Sequence, residues 1–165
     1  MKLNPSPKFR PEPASGEPGL ELERFLPYRL SVLTNRISTA IARVYVRRFA
    51  LTVPEWRVMA VLGRFGAMSA NAVCERTAMD KVRVSRAVAR LAAAGRLDRR
   101  IDKSDRRRAL IDLTPAGQAV YEEIGPLALV VEARLLAQLS PADRADLVRL
   151  LPKLEAAAAT SFAEG

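Results

Sequence analysis

The sequence predicts a mostly α-helical chain with a small antiparallel β ribbon, on three observations. Apolar residues recur at a spacing of about 3.6 in six separate segments, as in helices with one buried face. Helix-start signals open five of these segments: Thr52-Val53-Pro54-Glu55, Ser69, Asp80, Thr114-Pro115 and Ser140-Pro141-Ala142-Asp143. Only in Leu97–Ile101 and Ala109–Leu113 does the pattern become that of two short strands.

Residues 1–18 hold Pro5, Pro7, Pro11, Pro13 and Pro18 among Ser and Gly. Such a segment buries too little surface to offset its ordering, so it is read as a disordered or extended arm. A helical pattern starts near Leu20, runs through Leu30, Leu33, Ile37, Ile41, Val44 and Phe49, and should end by Leu51. Pro27 alone interrupts it, near its start. The second helix has Thr52 as cap, Pro54 early and Glu55 three residues on. Its Trp56, Val58, Met59, Val61, Leu62 and Phe65 read as nearly all buried, with Gly66 as the stop. Ser69 then caps a third, short helix containing Ala70, Ala72, Val73 and Cys74, and a tight link at 77–80 leads into the fourth.

The fourth helix has two faces. Val84, Val88 and Leu91 recur at spacings of four and three, and Arg83, Arg86 and Arg90 do the same elsewhere on the surface, with Ser85 between them and Lys81 in the first turn. Asp80 stands where an N-cap acceptor belongs, and Gly95 where a left-handed C-terminal residue belongs. Such a helix can dock on a core while its arginines meet a polyanion. Two short helices joined by a brief turn, the second exposing polar residues, make a helix-turn-helix. The strand pair that follows, joined by a polar tip at 102–108, makes it the winged form.

Charge is concentrated in the same stretch. Residues 76–108 hold twelve basic side chains against four acids, a net +8 out of the +9 of the whole chain. A field localised in this way attracts phosphate and makes binding salt-dependent. Coding bias explains the choice of Arg over Lys but not the clustering. The absence of histidine removes the commonest general base and the commonest metal ligand, and no phosphate loop or nucleophile elbow is present. Neither an enzyme nor a cofactor or metal site is expected. No apolar run approaches the roughly 20 residues of a membrane span, and the N-terminus lacks a signal core. Cys74 is the sole cysteine, in keeping with a cytoplasmic protein; beside Ala72 and Val73 it reads as a small buried hydrophobe rather than a redox switch.

Thr114-Pro115 opens a fifth helix running through Ala119, Val120, Ile124, Leu127, Val130, Val131, Leu135 and Leu139, with Gly125-Pro126 as an expected kink. The sixth carries Leu147, Leu150, Leu151 and Leu154. The end helices and the first are more apolar than one small winged domain can bury, which points to a partner chain. The expected organisation is therefore an arm at 1–18, a winged helix-turn-helix at 52–113, and dimerisation helices at 19–51 and 114–158.

The order of elements, with the run D-K-S-D-R-R-R-A-L-I-D-L-T-P-A-G at 102–117, resembles the MarR family of bacterial transcriptional regulators. The resemblance covers about residues 20–158, and Lys103 stands where the family commonly has Pro. It implies a homodimer joined through its terminal helices, with each fourth helix in a major groove of a pseudo-palindromic double-stranded DNA operator, and repression as the usual mode. It also implies that Arg107 enters the minor groove and that Asp105 positions it. From the residues themselves, Arg83 and Arg86 are candidates for guanine contact, Lys81 and Ser85 for phosphate, and Arg90 for the DNA backbone. Arg106 and Arg108 flank the tip.

Relatives in this family often release DNA when a small aromatic acid enters a cleft between the dimerisation helices and the winged domain. Here Tyr28, Asn35, Ser38 and Trp56 are candidate lining residues, with Arg29 or Arg57 for the carboxylate. The plainer reading of Trp56 is core packing. Two other classes compete with the regulator: a sequence-tolerant architectural DNA-binding protein without effector control, and an interaction module whose basic face meets an acidic protein.

Overall fold

The computed structural model describes residues 19–101 and 109–161. The 1–18 arm and the tip residues Asp105, Arg106, Arg107 and Arg108 lie outside the described residues. The elements are α1 (Leu26–Phe49), α2 (Val53–Phe65), β1 (Met68–Ser69), α3 (Ala70–Thr77), α4 (Lys81–Ala93), β2 (Leu97–Ile101), β3 (Ala109–Leu113), α5 (Pro115–Leu136) and α6 (Pro141–Ser161).

The first helix starts at Leu26 rather than near Leu20. The residues ahead of it close a turn, in which the N–H groups of Arg24 and Phe25 each donate to the Glu21 carbonyl at 3.0 Å. Pro27 then falls in the first helical turn, where its missing N–H has no intrahelical partner to lose. At the other end Ala50 adopts a left-handed conformation and donates to the Val46 carbonyl.

The start of α2 follows the capping pattern, with Glu55 accepting the Thr52 N–H at 2.8 Å. Its burial is narrower than the sequence implies. Val58, Met59 and Leu62 are buried, Trp56 and Val61 are partly so, and Phe65 is 53% exposed. The Phe65 ring lies instead under the guanidinium groups of Arg76 (4.2 Å) and Arg64 (5.5 Å).

The β ribbon has the expected limits but gains a strand. In the order β1-β3-β2, Met68 and Ser69 pair antiparallel with Ile111 and Leu110, and Leu97 to Ile101 pair with Leu113 to Ala109. A strand of two residues shows no periodicity, so only its pairing reveals it. The base of the ribbon is tied to α5: Thr114 donates its hydroxyl to the Gly95 carbonyl (2.7 Å) and its N–H to that of Arg96 (3.2 Å). Gly117 sits so close to the Arg96 carbonyl that any Cβ would collide with backbone.

One continuous core joins Tyr45, Phe49 and Leu51 to Val58, Met59, Leu62, Val84, Val88, Leu91, Leu97, Ile111 and Ile124. Helix α5 continues through Pro126 and ends at Leu136, short of Leu139, where the chain closes in turns. The Ser140–Asp143 start signal is made reciprocally, and the α6 it opens has no buried residue. On this single chain Leu30, Leu33, Leu129, Val148 and Leu151 face water. Among the described residues no helix is long and apolar enough to cross a membrane.

Candidate nucleic-acid interface

Helix α4 is closed at both ends by its own sequence. Asp80 accepts the Arg83 N–H at 2.8 Å, satisfying an otherwise orphan donor. At the far end Gly95 takes φ +67 and donates to the Ala92 carbonyl (2.9 Å), while Arg96 donates to that of Leu91 (2.9 Å). This is a Schellman closure, which needs a residue free of Cβ strain at Gly95. Between the caps, Val84, Ala87, Val88 and Leu91 are buried against α2 and α3.

The rest of α4 faces outward. At about 100° per residue, Val82, Arg86 and Ala89 lie opposite the buried row, while Arg83 and Arg90 flank it on one side and Lys81 and Ser85 on the other. All seven side chains are exposed. The arginines are not equivalent. Arg83 turns back to Asp80 (3.3 Å), and Arg90 reaches Glu55 of α2 (3.6 Å), whose side chain is only 7% exposed. Arg86 makes no ion pair among the described residues, and its side chain is exposed. On the ribbon, Arg99 is exposed and Arg100 pairs with Asp112 at 3.4 Å. The sequence pattern grouped Arg83, Arg86 and Arg90; the structure holds Arg83 and Arg90 on carboxylates and gives Arg86 none among the described residues. Asp80 and Glu55 were legible as caps, and Asp80 stands three residues before Arg83 as a local partner would, but nothing local marks Glu55 as the partner of Arg90.

A second cluster lies where α1, α2 and α5 meet. Arg57 donates to the Ser38 hydroxyl at 3.2 Å. Trp56 lies between Tyr45 (centroids 5.7 Å apart) and Tyr121 (6.1 Å). Gly63 makes room for the Tyr121 ring, since a Cβ there would meet it at 2.6 Å. Burial pushes the Tyr45 phenol up to about 12, with Arg57 opposing the rise and Glu55 adding to it. The fold thus brings Arg57 to Ser38 and sets Trp56 between two tyrosines that periodicity did not single out. Tyr28 is exposed ten residues before Ser38, about 15 Å along α1, and Arg29 beside it is partly buried. Asn35, one turn before Ser38, lines a groove of about 460 Å³ with Val32, Arg36, Thr39, Ala40 and Arg43. Cys74 is partly buried against the core.

A helix-turn-helix with a three-stranded wing, its second helix docked by one face and cationic on the other, defines the winged-helix class of nucleic-acid-binding proteins. The MarR family model matches residues 51–108. A probable transcriptional regulator from Pseudomonas aeruginosa is 30% identical, with 81% of this chain and 99% of that one covered and a TM-score of 0.69. BpsR of Bordetella bronchiseptica, whose DNA binding is regulated by 6-hydroxynicotinic acid, is 29% identical over 83% of this chain and 97% of its own (TM-score 0.72). A MarR/EmrR family transcriptional regulator from Acinetobacter sp. ADP1 is 26% identical over 86% and 99%, with a TM-score of 0.77. No curated protein matches the chain. The chain belongs to the MarR family of transcriptional regulators.

Proposed function

We propose that this protein is a transcriptional repressor that binds a pseudo-palindromic operator as a homodimer and is released by a small aromatic acid. The observation that carries the DNA part is α4, capped at both ends, docked through Val84, Ala87, Val88 and Leu91, and turning Lys81, Arg83, Ser85, Arg86 and Arg90 to solvent. A rigid helix of this kind fits a major groove, where Arg reads guanine O6 and N7. In this reading Arg86 contacts a base, Lys81, Arg83 and Ser85 contact phosphate or a neighbouring base, and Arg90 contacts the backbone. At the wing tip Arg107 enters the adjacent minor groove, Asp105 positions it, and Arg106 and Arg108 flank it. Residues 52–113 form the reading unit, while 19–51 and 114–158 pair the two copies, burying the leucines exposed on α1, α5 and α6.

The effector part rests on Arg57 reaching Ser38 while the adjacent Trp56 packs with Tyr45 and Tyr121, a guanidinium in sequence beside an aromatic cluster. Such a site suits a planar carboxylate, and the 29%-identical BpsR responds to one, 6-hydroxynicotinic acid. Selection of bound duplexes from the source genome, followed by footprinting, tests the whole reading. A protected inverted repeat with half-sites about 34–36 Å apart is expected. Uniform affinity for every duplex would replace it with the architectural binder. Titration of hydroxylated benzoates and pyridine carboxylates into the complex tests release, and no response across that panel would remove the effector from the proposal.

A further inference from the structure

Val82 stands on the outermost line of α4, opposite the buried row, and is 57% exposed. Arg86 follows it at i+4 on the same line, and Ala89 lies one turn from Val82's side of Arg86. Val82 is also in the first turn of the helix, the end that a recognition helix sets against base edges. A valine is stiff at χ1 in a helix, so its two methyls are held in one orientation before any ligand arrives. The apolar group that a major groove offers to such a side chain is the C5-methyl of thymine, while the edges of the other bases there are hydrogen-bonding groups.

We propose that Val82 is a specificity-determining residue that packs on a thymine C5-methyl in each half-site, next to the base pair met by Arg86. This rests on the DNA-binding reading above and adds to it an apolar element of recognition that the charge pattern does not contain. Arginine selects guanine by hydrogen bonds; Val82 selects thymine over cytosine by desolvating its methyl. Together they specify neighbouring base pairs with different chemistry.

The test uses the full chain and duplexes that the wild-type protein selects from a random pool, remade with deoxyuridine in place of each thymidine in turn. That change removes one methyl and keeps every hydrogen-bonding group. Wild type should lose about three- to fivefold in affinity at one thymine position per half-site, the size expected for one desolvated methyl. Val82→Ala should bind the thymidine and deoxyuridine duplexes equally at that position, and Arg86→Ala should keep the methyl dependence while binding both more weakly. Alanine is the better helix former and Val82 is outside the core, so the variant's fold is secure and circular dichroism verifies it. Wild-type affinity that ignores every deoxyuridine, or a methyl dependence that survives in Val82→Ala, would overturn this inference and leave the regulator reading standing. Failure of the wild-type protein to select any duplex would overturn both.

Discussion

Arg86 is the guanidinium of α4 with no carboxylate partner among the described residues, whereas Arg83 is drawn to Asp80. Arg86→Ala should therefore cost about 1–3 kcal/mol on a selected operator and less on a scrambled duplex, with Arg83→Ala showing the smaller loss of discrimination. Fluorescence anisotropy on both duplexes measures this. Glycines give a second prediction. Gly117→Ala forces a methyl into the Arg96 carbonyl, which cannot yield without parting the ribbon from α5, and Gly63→Ala drives one into the Tyr121 ring. Losses of roughly 1–3 kcal/mol or more are expected in urea unfolding, with Gly63→Ala also altering Trp56 fluorescence.

Tyr45 gives a pH prediction at the same scale. Its folded-state value near 12 exceeds the usual 10.0, so between those values the folded chain keeps a proton that the unfolded chain releases. The stability contributed by the buried neutral phenol is thus whole below pH 10 and falls as the pH rises toward 12. Tyr45→Phe should flatten that alkaline decline relative to wild type in pH-dependent unfolding, and parallel curves would refute the assignment.

Among the elements, α2 and α4 are coupled by one carboxylate. Glu55 caps α2 through the Thr52 N–H and pairs with Arg90 from α4. Arg90 is 70% exposed, so Arg90→Ala should cost under about 1 kcal/mol. Glu55→Ala, which also removes the cap, should cost about 1–2 kcal/mol. The double variant should fall short of the sum, because both changes remove the same pair; a urea series on the four proteins decides it. The limits of β2 and β3 were readable because an apolar residue bounds each five-residue run at both ends and a polar stretch separates the two. β1 was not, because two residues carry no period and exist as a strand only through Ile111 and Leu110. The early start assigned to α1 has a similar cause: Leu22, Leu26 and Leu30 are spaced by four, so the helical pattern runs on ahead of Leu26, but hydrogen bonds to Glu21 turn the chain first.

For the whole molecule, exposed leucines on α1, α5 and α6 amount to a surface that one chain leaves wet. Leu151→Glu should convert the proposed dimer to monomers in sedimentation while leaving the helical content intact, since no residue of α6 belongs to the core. Operator affinity should fall with it, because a single α4 neutralises half the phosphates and meets one half-site. Unchanged mass and affinity would exclude α6 from the interface.

What the sequence by itself determined are the features whose causes lie within a few residues. The caps at Ser69, Asp80, Thr114 and Ser140, the Gly95 closure, the two faces of α4 and the localised charge follow from side chains three or four positions apart. Tertiary structure alone decided which distant groups became partners: Arg90 with Glu55, Arg57 with Ser38, Trp56 between Tyr45 and Tyr121, and Gly117 against Arg96. Local hydrogen bonds and periodicity act along the chain and can be read along it. Long-range contacts form only once the packed core has set the distances, and among the described residues they left Arg86 without a carboxylate partner beside Val82 on the outward face.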